Sequence, residues 1–429
     1  MISVAALFLV FAGIVLLGYI INSLFYKLKI SSPMLLLVIG LLIGPVLHVV
    51  NTSPTSTISQ ISPIVSALAI AFVLFDVGMS IRLKSLGSVL LRTTRFTFVC
   101  SMLTGAAMFA FLYFTQGWGV LLSLMAGFAL SGTTSIILPP LFKIIKVNEN
   151  LKTSMAFQSV FNDVFSLVLP LIFFDILATH TYSFGFVAGE LGGFIIGSTI
   201  LGILFAIFWI FILRKFKRYS SQYSWMLTLT IVLAVYGSAE YLNFNGALAT
   251  FIFGIIFANV QDMGSLIRNY VKPVVSEITH IKSYQREISF FVSTFFFVYI
   301  GMLFYTPSVT YTLIIITILM ALTVLIIRSA VLRWVGLGNA VSTTGHAKSE
   351  TMVMRFYIAQ GMAPAIIATL PTTIGLNVPN FIDIMFLMIL FTNAVLSFGL
   401  YLYVKELKKE DAGKPQVKIT AAGASVGSG

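Results

Sequence analysis

Charge is what this sequence has least of. Of its 429 residues only 9 % are Asp, Glu, Lys or Arg, whereas 58 % are hydrophobic, and the mean hydropathy is +1.01. Soluble chains carry roughly a quarter charged residues. The composition therefore excludes an ordinary soluble domain and leaves an integral membrane protein with many helices. Cysteine is nearly absent: Cys100 stands alone, which excludes an internal disulfide and says little about compartment. The histidines, His48, His180, His280 and His346, are scattered without metal-ligand spacing. There is no His-Glu-x-x-His run, no intramembrane Asp pair with Gly-Asp character and no nucleotide-binding loop. An enzyme is not expected, and neither is a cofactor.

What is present is a series of long apolar runs. A membrane helix needs roughly 20 predominantly apolar residues. About thirteen segments qualify, at roughly 3–26, 33–50, 61–81, 96–115, 119–142, 154–178, 185–213, 225–243, 245–260, 289–305, 311–334, 350–370 and 381–404. The first lacks a basic n-region and an A-x-A-like site, so it is expected to be a span rather than a signal peptide. The loop from Gln261 to Glu287 is mixed in charge and is expected to be an amphipathic connector. Residues 1–410 are expected to form one transmembrane domain, and the Gly/Ala/Ser/Val-rich stretch 411–429 a disordered tail.

Lys and Arg occupy alternate loops. The loops at 51–60, 116–118, 179–184, 306–310 and 371–380 contain neither. The opposite set carries Lys27, Lys29, Arg82, Lys84, Arg92, Arg95, Lys143, Lys146, Lys152, the run Arg214-Lys215-Phe216-Lys217-Arg218, Arg268, Lys272, Lys282, Arg286 and Lys348. By the positive-inside rule that side is cytoplasmic, with the N-terminus outside and the C-terminus inside, as in a multi-pass cell-membrane protein. The net charge of +12 is thereby topological. Its natural neighbour is the anionic inner leaflet of the lipid bilayer, not nucleic acid.

Thirteen spans have the parity of an inverted repeat: spans 1–6 begin outside, spans 8–13 begin inside, and span 7 connects them. Span 5 carries Ser131-Gly132-Thr133-Thr134-Ser135 and then Pro139-Pro140, and span 12 carries Gln360-Gly361-Met362-Ala363-Pro364. Both interrupt an apolar run with Gly, Pro and small polar residues, at the fifth place of each half. Paired broken helices point to a transporter's ion site. Two ordinary proline kinks are the plainer alternative.

Asp163 lies near the middle of the sixth segment. A carboxylate at that depth costs roughly 2.5–3.5 kcal/mol on insertion scales, and such acids usually mark ion or proton paths. A small cation sheds water only for several oxygens, which one carboxylate, hydroxyls and the carbonyls freed at broken helices supply. If protons and cations compete for Asp163 while the bare carboxylate cannot cross, alternating access suffices for antiport.

The run Gln158-Ser159-Val160-Phe161-Asn162-Asp163, following a broken segment with Thr133-Thr134, resembles the monovalent cation/proton antiporter family. It is most similar to the sodium/proton exchanger branch with Asn-Asp on the sixth of thirteen spans. The likeness extends to Pro33, Gly40-Leu41-Leu42-Ile43-Gly44-Pro45 and Phe75-Asp76-Val77-Gly78. It implies an all-α fold of two inverted repeats with crossed discontinuous helices in spans 5 and 12. Spans 1–3 and 8–10 would form a dimerisation part, spans 4–6 and 11–13 an ion-carrying core, and span 7 the linker, in a homodimer. The resemblance makes Asp163 the site of the cation or proton and Asn162 the neighbour that marks electroneutral exchange. It makes Ser159, Thr133 and Thr134 oxygen donors to a monovalent cation (Na+, or Li+ or K+), which is substrate rather than cofactor. Gln158, Arg328, Gln360 and Asp76 would support them.

Departures accompany the likeness. Relatives carry Glu where Gln158 stands, Thr-Asp-Pro at Thr133-Thr134-Ser135, and Arg-Gly at the position assigned to Gln360-Gly361. With both positions neutral, an amide–amide hydrogen bond is the expected substitute for an ion pair, although Arg355 is another match for the basic residue. Arg328 has two readings, a permanent salt bridge to Asp163 or a cap for helix-end carbonyls. Asp76 is either a helper acid or a hydrogen-bond partner. Asp175, Glu190, Glu240 and Asp383 either line a cation-attracting funnel or mark solvated helix ends. Gly189, Gly193 and Gly197 have small-xxx-small packing spacing. A sodium-coupled symporter of an organic solute on a similar scaffold is the competing function, although few intramembrane polar residues are present to build its second cavity.

Overall fold

The computed structural model describes residues 12–14, 16–21, 23, 30–47, 62–81, 88–134, 137–138, 141–142, 145, 149–179, 184–215, 223–260, 275–304, 309–337 and 347–412. Among them there is helix and no strand. Hydrocarbon offers the backbone no hydrogen-bond partner, so an apolar chain satisfies its peptide groups within helices.

In chain order the helices are α1 (Ala12–Ile21), α2 (Ser32–Leu41, running on through a wider turn, Leu42–Val46), α3 (Ser62–Ser80), α4 (Ser88–Gln116), α5 (Val120–Ala129) and α6 (Glu149–Thr179). Then come α7 (Phe184–Lys215), α8 (Ser224–Tyr241), α9 (Gly246–Asn259), α10 (Val275–Leu303) and α11 (Tyr311–Val335). The last three are α12 (Ala347–Phe356), α13 (Met362–Thr373) and α14 (Phe381–Ala412). By length and composition α4, α6, α7, α10, α11 and α14 can each cross a membrane, and α1, α2, α3, α5, α9 and α13 are shorter apolar helices. Each apolar interval of the sequence contains one of these helices, and the twelfth contains two.

Local chemistry sets several ends. Thr310 caps α11 by accepting the Leu313 N–H at 3.3 Å, and Gly336 ends it at φ 64°, a conformation open to glycine. Asn245 caps α9 by accepting the Leu248 N–H at 2.8 Å.

One expected boundary is displaced. The connector at 261–287 is helical from Val275 onward, continuous with the tenth span. Two of its polar residues turn inward while Ser276, Thr279, His280, Ser283, Arg286 and Glu287 stay exposed. Lys282 Nζ donates to the Met79 carbonyl at 2.5 Å and Gln285 Nε2 to the Phe72 carbonyl at 2.9 Å, which dock this part of α10 on α3. The first part of the connector, 261–274, lies outside the described residues, as do Ser135, Pro139, Pro140, His48, His180 and His346. So does the expected tail, apart from residues 411 and 412 at the end of α14.

Packing falls into pairs related by a shift of seven spans, with α12 and α13 together counted as the twelfth. α2 packs on α10 and α9 on α3; α4 on α5 and α11 on α12; α5 on α6 and α13 on α14; α2 on α14 and α9 on α6. α4 and α11 pack on each other. Two repeats would generate this pattern. Its tightest members cross at facing glycines. A Cβ on Gly301 would lie 2.3 Å from the Leu37 carbonyl oxygen and 2.9 Å from Gly40 Cα. In the exchanged pair, a Cβ on Gly254 would lie 2.5 Å from the Phe75 carbonyl oxygen and 3.2 Å from Gly78 Cα. Small residues at a crossing let backbones touch where lipid supplies no hydrophobic drive.

The largest side-chain cluster draws on helices from α1 to α14, with Leu36, Leu74, Met125, Leu167, Phe297, Ile366 and Phe386 among its members, and two smaller clusters stand beside it. One gathers Phe96, Cys100, Ile137, Leu141, Met155, Val331, Met354, Tyr357 and Leu400 from the α4–α6 and α11–α14 stretches of the chain. The other gathers Phe75, Trp209, Val232, Phe253, Phe257 and Ile281 from α3 and α7–α10.

Gly301→Val should lower stability by about 1–3 kcal/mol, the usual cost of overpacking. Gly237→Ala, where an added Cβ meets nothing within 4 Å, should be neutral or gain up to about 1 kcal/mol of helix propensity. Thermal unfolding of the purified protein in detergent measures both, and equal midpoints for the two variants would contradict the close crossing.

Candidate functional site

The site forms where two interruptions meet. Helix α5 ends at Ala129 and the chain continues without helix through Leu130–Thr134; α12 ends at Phe356 and Tyr357–Gly361 follows before α13. Thr134 N–H donates to the Ala359 carbonyl at 2.9 Å, joining the two stretches by backbone. Two glycines permit the approach. A Cβ on Gly361 would stand 2.2 Å from Thr134 Oγ1, and one on Gly132 would stand 2.3 Å from Ser166 Oγ of α6.

The second interruption lies three residues earlier than the Gln360–Pro364 expected from sequence. Pro364 is the third residue of α13, inside its first turn, where a missing N–H costs nothing. The proline marks where a helix begins, and the residues before it carry the interruption.

Freed backbone groups find partners across the junction. Gln360 Nε2 donates to the Leu130 carbonyl at 2.5 Å. Gln360 N–H donates to Thr392 Oγ1 at 3.2 Å, and its carbonyl accepts from Asn393 Nδ2 at 2.8 Å. Asn393 in turn accepts from the Ser31 hydroxyl ahead of α2. Tyr357 donates its hydroxyl to the Thr134 carbonyl.

Helix α6 runs beside the junction, with Gln158 and Asn162 one turn apart and Ser159 and Asp163 one turn apart. Asn162 is buried and held at both ends: its Oδ1 accepts from Ser101 Oγ at 2.7 Å, and its Nδ2 donates to Thr133 Oγ1 at 2.9 Å. It ties α4 and α6 to the first interruption. Ser159 Oγ lies 2.5 Å from the Tyr357 hydroxyl. Asp163 is half-buried, and its carboxylate and the Thr133 hydroxyl both act on the Tyr357 hydroxyl. The junction thus assembles Thr133, Thr134, Ser159, Asn162 and Tyr357, with Asp163 acting on it. Its oxygens are a carboxylate, hydroxyls and carbonyls, the hard donors that suit an alkali cation or a proton better than a transition metal. Among the described residues no group of three or more His, Cys, Asp or Glu could hold a metal ion.

Arg328 is buried, 1 % exposed, and resolves between its two readings. Nε donates to the Met354 carbonyl in the last turn of α12 at 2.6 Å, and Nη2 donates to Gln158 Oε1 at 3.0 Å. The guanidinium carbon sits 5.3 Å from the Phe96 ring centre and 5.5 Å from that of Tyr357. It caps a helix-end carbonyl, the second of its two readings. The expected Gln158–Gln360 amide pair is corrected by the same geometry. Gln158 turns to Arg328 and Gln360 to the Leu130 carbonyl, because a guanidinium and a freed carbonyl offer stronger bonds than another amide. Gln158 Nε2, Gln360 Oε1 and Arg355 Nε are buried with no hydrogen-bond partner among the described residues.

Other candidates sit elsewhere. Asp76 faces α10, where Ser289 hydrogen-bonds it and Arg286 and Lys282 lie nearby. Asp175 accepts from Asn245 Nδ2 at 2.8 Å and Glu240 Oε1 from the Gly246 N–H at 2.8 Å, so both serve the start of α9. Asp383 is buried in the first turn of α14. A Cβ on Gly197 would meet the Phe244 ring at 2.4 Å, a packing role, whereas the side-chain surroundings of Glu190, Gly189 and Gly193 lie outside the described residues.

Sequence reading missed Tyr357, Ser101, Thr392 and Asn393. Tyr357 carried one available signal, a polar aromatic just before a Gly-x-x-Pro helix start. The others are ordinary polar residues whose role depends on a partner far along the chain.

A family model described as sodium/hydrogen exchanger, transmembrane, matches residues 12–405. The chain belongs to the sodium/hydrogen exchanger family. The family is one of membrane transporters. Its fold is similar to that of the sodium proton antiporter MjNhaP1 from Methanocaldococcus jannaschii at pH 8, with a TM-score of 0.71 and 19 % identity over 94 % of this chain and 97 % of that one. Against a three-dimensional electron-microscopy map structure of the same antiporter the TM-score is 0.67, at 19 % identity over 96 % of this chain and 100 % of that one. At this identity the likeness speaks for the fold. No curated protein matches the chain.

Arg328→Met should destabilise the protein by about 3–5 kcal/mol, since the Met354 carbonyl and Gln158 would both lose their partner. Arg328→Lys should recover less than half of that, because one ammonium cannot reproduce the fork or lie flat between two rings. Chemical or thermal denaturation in detergent reads both, and a fully stable Lys variant would contradict the role given to the planar guanidinium.

Proposed function

We propose that the protein is a secondary antiporter that exchanges a monovalent cation, Na+ foremost and Li+ or K+ as further candidates, for H+ across the cell membrane. The observation that carries this reading is the backbone contact between two interrupted helices beside the Asn162-Asp163 turn of α6. It is supported by the family to which the chain belongs. Asp163 takes either the cation or the proton. Ser159, Thr133 and the Thr134 carbonyl complete the oxygen set, and Asn162 holds Thr133 in place without titrating. With one titrating carboxylate, one Na+ exchanges for one H+ and the cycle moves no net charge.

The transport step in this reading is an elevator. The moving unit is α4–α6 with α11–α14, the scaffold is α1–α3 with α8–α10, and α7 links them. Supporting it are the Phe96–Tyr357 cluster, confined to the moving unit, and the two glycine crossings, all four glycines of which lie in the scaffold. The scaffold is also the surface through which a homodimer would form. The one-sided distribution of Lys and Arg supports a cytoplasmic C-terminus and an outside N-terminus.

Proteoliposomes with a trapped pH indicator test the proposal. Asp163→Asn should abolish Na+-dependent proton movement, and full activity in that variant would sink the central role of the carboxylate. In the wild type the apparent KM for Na+ should rise as pH falls, by about tenfold per unit on the acid side, as competition for one site requires. A potential of 100 mV, worth about 2.3 kcal/mol per charge moved, should leave the rate unchanged. A strong voltage dependence would refute one-for-one exchange.

A further inference from the structure

We propose that Tyr357 is a positioning residue of the cation site: its hydroxyl orients Ser159 so that the serine offers lone pairs, not its proton, to the ion. The inference rests on the function proposed above and assigns a role to a side chain that sequence reading passed over.

A count of protons carries the argument. The Tyr357 hydroxyl has three polar neighbours, the Thr134 carbonyl, Ser159 Oγ at 2.5 Å and the Thr133 hydroxyl, and of these only the carbonyl cannot donate to it. A phenol has one proton to donate, and a carbonyl can only accept. The Tyr357 proton is therefore committed to the Thr134 carbonyl, and the short bond to Ser159 must run the other way, with Ser159 donating to the Tyr357 oxygen. Ser159 is 0 % exposed, so no bulk water competes for its proton. Its single proton is spent, and both lone pairs of Oγ remain available to a cation without loss of any hydrogen bond.

The ring keeps the hydroxyl in place. Tyr357 is 0 % exposed and packs within the cluster formed by Phe96, Met354, Leu396 and Leu400, with Arg328 over its face at 5.5 Å. It belongs to the second interruption, yet its hydroxyl reaches the first interruption and α6. The Tyr357 oxygen thus joins the three elements whose oxygens would surround the ion. The orientation of Ser159 is thereby tied to the closeness of the two interruptions.

Removing the hydroxyl has a directed consequence. In Tyr357→Phe the Ser159 proton loses its acceptor. The anion one helical turn on, the Asp163 carboxylate, becomes its most favourable alternative. That bond stabilises the empty anionic site and aims a hydrogen where a cation would sit. Cation affinity falls, while the exchange of the loaded site between the two sides is not directly touched.

The test is a comparison of wild type, Tyr357→Phe, Ser159→Ala and the double variant in proteoliposomes, with Asp163→Asn as the inactive reference. Tyr357→Phe is expected to raise the KM for Na+ about tenfold, the weight of one hydrogen bond to a charged group, with Vmax within about twofold of wild type. In the Ser159→Ala background the same change should move KM by less than about twofold, since no serine proton remains to be misdirected. An unchanged or lowered KM in Tyr357→Phe overturns the proposal. So does a loss confined to Vmax, or a KM effect that persists undiminished without Ser159. Should Tyr357→Phe fail to fold, Ser159→Ala alone must raise the KM for Na+, and an unchanged value overturns the inference equally. If the wild type moves no protons in response to Na+, the antiport reading itself falls. If wild type is active and Tyr357→Phe matches it, only the role of Tyr357 falls.

Discussion

Breaking a helix inside a bilayer releases peptide groups that water cannot reach, and the centre of this protein is organised by that constraint. The two interruptions meet each other's needs. Thr134 N–H goes to the Ala359 carbonyl, the Thr134 carbonyl takes the Tyr357 hydroxyl, and the Leu130 carbonyl takes the Gln360 side chain. Helix α14 supplies the remainder through Thr392 and Asn393, which hold both backbone groups of Gln360. Neither interruption would be tolerable alone, because each is solvated by the other. Their pairing in sequence, at the fifth place of each half, is the linear trace of that mutual dependence.

The same economy explains how a guanidinium persists at 1 % exposure. Arg328 is surrounded by neutral acceptors, a carbonyl and an amide oxygen, and by the faces of Phe96 and Tyr357. A delocalised cation is more weakly hydrated than an ammonium and stacks on rings, so it can be buried among such groups. An amide at Gln158 also has a consequence for α6. It accepts from the guanidinium without adding a second carboxylate one turn from Asp163, so a single acid on this stretch faces the junction. The contact closes a chain from α11 through Gln158 to the helix that bears the candidate site.

Much of this architecture was legible beforehand, and the reasons are physical. Apolar runs give spans because lipid imposes them, and Gly132-Thr133-Thr134 and Gly361 advertised their interruptions. Asp163 stood out because carboxylates are costly at that depth. What escaped depended on partners distant in sequence. Hydropathy read 275–287 as a connector because it cannot register that Lys282 and Gln285 would be met by the carbonyls of Met79 and Phe72. The glutamines were paired with each other for lack of any sign that Arg328 and the Leu130 carbonyl compete for them. Pro364 drew attention to itself, although a proline in a first turn starts a helix and the interruption lies before it.

The contacts also differ in kind, and the difference bears on how the site could be carried between two sides of a membrane. At Gly40–Gly301 and Gly78–Gly254 backbones touch, so sliding would drive carbonyls into Cα atoms. Close-packed interfaces of this sort are bistable or fixed rather than continuously deformable. Between the proposed scaffold and moving unit, hydrogen bonds among the described residues are short-armed: Ser66 Oγ to Thr369 Oγ1 at 2.6 Å, Ser31 to Asn393 and Ser397, and Asn245 Nδ2 to Asp175 Oδ2 at 2.8 Å. Each joins small residues that can exchange one partner for another at a cost of about 1 kcal/mol. Under the proposed mechanism, the first kind of contact keeps a scaffold rigid and the second lets a unit be released and recaptured. Asn393 belongs to both circumstances, since it holds the Gln360 carbonyl at the junction while it accepts from Ser31 across the seam. A displacement that broke the Ser31 contact would be felt one bond away from the interruption, which is how movement of the unit and the geometry of its ion site could be coupled.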